Sequence, residues 1–149
     1  MNRLNCAVAA GLVLLSGACT GIARNDREFA AAFFAGKESP RLPDNALVLL
    51  TDFESGIVFA SPSLLELSGY TAKELEGENY YQLLLEESAV RPDKAAVADS
   101  LQTGQSVTVE SEMLTKEGTI IYATATIAVT RGADGKPAGV SRTLRRTLF

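Results

Sequence analysis

The sequence contains no histidine. That absence removes Ser-His-Asp and Cys-His catalysis, histidine metal sites, haem held by a histidine and a histidine phosphoacceptor. It also removes the usual protonation switch near neutral pH. Cysteine is almost as scarce. Cys6 and Cys19 both fall in the N-terminal apolar stretch, so no disulfide framework is indicated and the chain from Arg24 onward carries no thiol. Positive charge is short as well. Fourteen Lys and Arg face eighteen Asp and Glu, for a formal net charge of −4, which argues against a nucleic-acid partner. The one close basic cluster, Arg142, Arg145 and Arg146, reads as the solvated side of a last strand, with a docking patch for an acidic partner as the other option. No phosphate-cradling loop is present. Glu74, Glu76, Glu78, Glu86 and Glu87 read as a solvated face rather than an acid–base pair.

What is present fits one small domain. Arg3 precedes an uncharged stretch from Leu4 to Ala23. A basic start, an apolar run and small residues at Gly21 and Ala23 are signal-peptide features. The run is also about 20 residues, the length of a bilayer span, and a helix packed on the domain is the third reading. Three segments follow from this: an apolar N-terminal segment, 1–23 (signal peptide, anchor or packed helix); a helix and linker, 24–45; and a folded domain, 46–149. The protein is expected to be exported or membrane-anchored if 1–23 is a signal, and cytoplasmic otherwise. Membrane contact is expected only through residues 4–23, if they are retained.

Asp26 to Gly36 predicts a helix with Phe29, Phe33 and Phe34 at helical spacing. Pro40 and Pro43 mark the linker. Ala46–Thr51 and Ile57–Ala60 read as a strand hairpin. Ser61 or Ser63 caps a short helix entered through Pro62, and Thr71 with Glu74 forms a capping-box pattern. Asn79 to Glu87 holds another short helix, and Pro92 to Thr103 the longest one, started by Asp93 and stopped by Gly104. Then the period changes to two: Val107–Leu114, Thr119–Thr130 and Ala138–Leu148 read as strands, with Asp134-Gly135 at the last hairpin. Two strands, several short helices and three strands imply an α+β fold, a five-stranded antiparallel sheet with short helices on one face.

That order, together with Ile57-Val58-Phe59-Ala60-Ser61, Leu65-Glu66-Leu67-Ser68-Gly69-Tyr70 and Glu74-Leu75-Glu76-Gly77-Glu78-Asn79, resembles the PAS family. The phrasing around Phe59-Ala60-Ser61 and Gly77-x-Asn79 is closest to its light-oxygen-voltage (LOV) branch, whose members bind flavin and form a photo-adduct with a cysteine. The resemblance implies a place for each flavin partner, and nearly all are altered. Tyr80 stands in the cysteine place, Tyr81 in that of the phosphate-pairing arginine, and Leu84 in that of a glutamine. Met113 and Ala123 fall near the two strand asparagines, and Ser141 near the flavin-sensing glutamine. Only Asn79 is kept. Flavin edges buried without partners would each cost about 1–3 kcal/mol. Neither flavin nor LOV photochemistry is therefore expected, and the cofactor is otherwise open.

The resemblance also places a pocket between helices and sheet. Its expected lining is Asn79, Tyr80, Leu83, Leu84, Met113, Tyr122, Ala123 and Ser141, with Leu49, Phe59 and Ile127 facing the same interior. Plain core is the competing reading for this group, and a backbone-bonding role is the competing reading for Asn79. No catalytic or metal-ligating residue is assigned. The function expected is a non-catalytic sensory or signalling module that passes its signal to a protein partner. The alternatives are a ligand-free interaction or dimerisation domain and, more remotely, a small-molecule or flavin-binding photosensor. The partner is either an unidentified protein or a second copy, and Phe29, Phe33 and Phe34 would suit pairing through the leading helix.

Overall fold

The computed structural model describes residues 22–38 and 40–147. The signal-type segment, apart from Ile22 and Ala23, lies outside the described residues, as do Cys6 and Cys19. Helix α1 spans Ile22–Ala35, four residues earlier than the Asp26 start, since nothing in Ile22–Asn25 breaks a helix. Among the described residues no helix is long and apolar enough to cross a membrane.

The strands are β1 (Leu47–Thr51), β2 (Ile57–Ala60), β3 (Val107–Leu114), β4 (Ile120–Arg131) and β5 (Pro137–Arg146). They form one antiparallel sheet in the order β2-β1-β5-β4-β3. Between β2 and β3 come α2 (Pro62–Ser68), α3 (Ala72–Leu75), α4 (Tyr80–Leu83) and α5 (Glu87–Thr103). The expected fold class is the observed one.

Local chemistry accounts for most boundaries. Pro62 opens α2, and Gly69 closes it at φ +83°, a left-handed conformation that favours glycine. The capping box at Thr71 and Glu74 is formed in both directions. Lys116 Nζ then binds the Glu74 carboxylate at 2.5 Å, tying α3 to the turn after β3. Helix α5 differs from expectation. It begins at Glu87 and runs through Pro92. Proline there forfeits one bond to the Ser88 carbonyl, but the helix lies over β3 and β4, and packing sustains the extra turn.

Both faces of β1 are covered, which is why Leu47-Val48-Leu49-Leu50 reads as a continuous apolar run. Leu49 belongs to the core between the sheet and α2–α5, together with Ile57, Leu64, Leu84, Ile127 and Val140. Val48 and Leu50 point to the opposite, outer face, where Phe29, Phe33, Phe34 and Phe59 pack on them. The phenylalanines of α1 are therefore engaged with their own sheet instead of presenting a free pairing face. Phe34 lies directly over Gly139 of β5, where a Cβ would also stand 2.5 Å from the Thr51 carbonyl oxygen.

Candidate functional site

The interior site is assembled by two periodicities. On β5, Val140, Arg142 and Leu144 share the buried inner side. On α5, Ala89, Asp93, Ala96 and Ser100 form the buried stripe. The inner face of the strand thus carries an arginine, and the inner face of the helix carries an aspartate. They meet. Arg142 donates from Nε to Asp93 Oδ2 at 3.0 Å and from Nη2 to Oδ1 at 2.7 Å, a two-pronged ion pair. Both side chains are at most 2% exposed.

Two further bonds hold the guanidinium. Nη1 donates to Thr51 Oγ1 at 2.9 Å, and Nη2 also donates to the Tyr81 hydroxyl at 3.1 Å. That hydroxyl donates in turn to Asp93 Oδ1 at 2.6 Å. The Arg142 guanidinium carbon stands 4.3 Å from the centre of the Tyr80 ring, within cation–π range. Four elements, β1, α4, α5 and β5, converge on one charge.

Helix α4 presents the two tyrosines because both its ends are anchored. Asn79 caps it, its Oδ1 accepting from Tyr81 N at 2.8 Å. Tyr80 N donates to the Ser55 carbonyl, and Ile57 exchanges backbone bonds with Gly77 and Glu78. Beyond the helix, Leu114 N donates to the Leu84 carbonyl, and Glu86 N to that of Glu112.

The electrostatics follow from burial. Desolvation, opposed in part by Arg142, pushes the Tyr80 hydroxyl well above the usual tyrosine range. Burial and its hydrogen bond to Asp93 push Tyr81 up to about 12. Burial alone would lower the affinity of Arg142 for its proton, but the bonds to Asp93 and the neighbouring tyrosines outweigh it and the net direction is upward. Both phenols stay neutral and the guanidinium stays charged at any ordinary pH. Among the described residues no cluster of three metal-ligating side chains occurs.

The expected pocket residues divide. Tyr80, Leu84, Met113 and Ala123 lie buried in the interior core, with Leu83 packed against it. Asn79 is exposed and spends its side chain on the α4 cap. Tyr122 and Ser141 are on the other face. Tyr122 is 44% exposed opposite Glu112, because alternation along β4 sends it away from Ile121 and Ala123. Ser141 alternates with Arg142 in the same way, and its hydroxyl donates to the Ala128 carbonyl. Phe59 also departs from expectation. Leu50 pairs with Phe59 and Thr51 with Ile57, so Val58 is an extra residue that turns Phe59 to the outer face. Arg142 is the largest correction. It is no part of a solvated side, whereas its neighbours Arg145 and Arg146 are exposed.

The profile of the PAS fold family matches residues 57–144, more than half of the chain. The chain belongs to the PAS family. Among solved structures, a light-oxygen-voltage domain studied with a flavin analogue is 23% identical, at a TM-score of 0.58 over 69% of this chain and 78% of that one. The PAS domain of a Colwellia psychrerythraea protein is 19% identical, at 0.62 over 68% and 86%. The Rhodobacter sphaeroides LOV protein is 18% identical, at 0.58 over 84% and 66%. No curated protein matches the sequence significantly. This is thus a PAS domain, of a family of sensory and signalling modules, with a fold similar to that of light-oxygen-voltage domains. The Arg142–Asp93 pair and its tyrosines lie in the interior of this PAS domain, between helices and sheet.

Proposed function

We propose that this PAS domain is a non-catalytic signalling module that acts through a protein partner, without flavin and without LOV photochemistry. The observation that carries the reading is the buried Arg142, which sits against the Tyr80 ring with four of its five donors bonded to Asp93, Thr51 and Tyr81. An isoalloxazine would need that space, and it would need polar partners where Leu84, Met113 and Ala123 stand. Tyr80, in the place that the LOV resemblance gives to the adduct cysteine, offers no thiol. These residues do not fit a flavin. The network instead ties β1, α4, α5 and β5 together, which suits a domain that transmits through its surface.

Purified full-length protein tests this directly. The expected absorption spectrum has no flavin band in the blue, and native mass spectrometry shows no mass increment of a flavin. A bound flavin, or bleaching of such a band under blue light, would overturn the reading.

A further inference from the structure

The outer face of the sheet carries a second site, unrelated to the interior network. Beyond the edge of α1, the strands leave a cleft of about 580 Å³, the size of a small-molecule site. Its floor is a field of hydroxyls. Thr124 and Thr126 come from β4 and Thr143 from β5, Thr126 and Thr143 being direct cross-strand partners. Arg27 of α1 stands on one flank, where Nη2 donates to Ser106 Oγ at 3.3 Å. Arg145 of β5, register partner of Thr124, stands on the other. Arg146 borders the same cleft and also a shallower hollow that it shares with Glu66.

The charge of this cleft runs against that of the molecule. The chain carries −4 overall, yet among the described residues the cleft is lined by three arginines and by no carboxylate. The nearest acid by register, Glu110 opposite Thr124 on β3, lies outside the lining. Among the described residues no ion pair engages Arg27 or Arg145. An arginine fork binds carboxylate or phosphate through two parallel bonds, and threonine hydroxyls add donors beneath it.

We propose that this cleft binds a small organic oxyanion, a carboxylate or a phosphate ester, held between Arg27 and Arg145 over the threonine floor. Such a ligand would bridge α1 to β5 and so couple binding to the docking of α1. The proposal does not depend on the interior being free of cofactor.

Isothermal titration of the full chain with succinate and with inorganic phosphate tests it, with succinamide as the neutral control. Saturable binding of at least one anion is expected, and which one binds separates the carboxylate from the phosphate source. Arg27→Gln and Arg145→Gln, both at exposed positions, should each weaken that binding tenfold or more with unchanged melting temperature. Lys136→Gln, in the distant β4–β5 turn, should change it less than twofold. No saturable binding of either anion, equal binding of succinamide, or indifference to both arginine substitutions would overturn the proposal. So would a stable dimer by native mass spectrometry that binds no anion, because a second copy would then occupy the face.

Discussion

Replacing Asp93 with asparagine keeps the shape of the side chain and removes its charge. Arg142 then stays in place, 1% exposed, with no counter-charge. Two short bonds from its guanidinium, at 2.7 and 3.0 Å, lose their ionic component. The Tyr81 hydroxyl at 2.6 Å must share an amide in place of a carboxylate. Hydrogen bonds to charged groups contribute about 1.5–3 kcal/mol each, and breaking one side of a buried ion pair costs about 3–5 kcal/mol. The two routes agree. Domains of this kind have about 5–15 kcal/mol in total, so Asp93→Asn should remove a large share of the stability and lower the melting temperature by about 10–20 °C. Urea denaturation followed by circular dichroism measures it. Asp93→Leu, Arg142→Met and their double variant form a separate cycle that isolates the coupling of the pair. Replacing a whole buried pair with apolar side chains is often close to neutral, so the double variant should be more stable than either single one. A loss under about 1 kcal/mol for Asp93→Asn would refute the argument, since no buried charge could then have been stranded. Single losses that simply add in the double variant would refute it as well.

Gly139→Ala should cost about 1–3 kcal/mol by overpacking, because the new methyl meets the Phe34 ring and a backbone oxygen that cannot move aside; hydrogen exchange should then quicken along Phe29–Ala35. Ser61 is buried and its hydroxyl donates to the Ala46 carbonyl while accepting from Val48 N, so Ser61→Ala should cost about 1–3 kcal/mol in denaturant titrations. The Tyr81 hydroxyl binds protons more tightly folded, near 12, than unfolded, near about 10. Its contribution is fully present below pH 10 and is lost as pH rises toward 12. Stability should therefore fall across that alkaline window, and the fall should be shallower in Tyr81→Phe; an identical pH dependence in the two proteins would contradict the assignment.

The succession of elements along the chain and most of their boundaries were legible because they rest on local pattern, whereas the order of the strands within the sheet rests on the non-local pairing of β1 with β5. Thr71 and Glu74 stand three apart, glycines follow helices, and the period switches to two after Gln105. The interior network was not legible, for a physical reason. Arg142 and Asp93 are 49 residues apart, and neither neighbourhood names the partner of the other. A weaker signal was there. Val140 and Leu144 flank Arg142 on the same side of the strand, so an arginine there had to be buried with a partner or break the apolar face. Asp93 likewise sits among Ala89, Ala96 and Ser100 at helical spacing. Reading the three late arginines as one cluster hid this, because alternation sends Arg142 and Arg145 to opposite faces. Phe59 escaped for another reason: a one-residue bulge cancels the rule by which it would have joined Ile57.

The position of β5 in the sheet has a consequence for the order of events during synthesis. β5 is the central strand, with β1 on one side and β4 on the other, yet it leaves the ribosome after every other strand. The β1–β2 and β3–β4 hairpins thus emerge as two unconnected halves, each with an open edge, and Asp93 waits in α5 for a cation not yet made. Joining the halves closes a chain loop that pairs Leu47 with Leu144, and non-local closure of this kind is slow. Until then the exposed edges are the surfaces on which a misfolded encounter would start. A nascent chain stalled before Pro137 would hold α1 to α5 and four of the five strands, and still lack the strand that joins the two halves into one sheet.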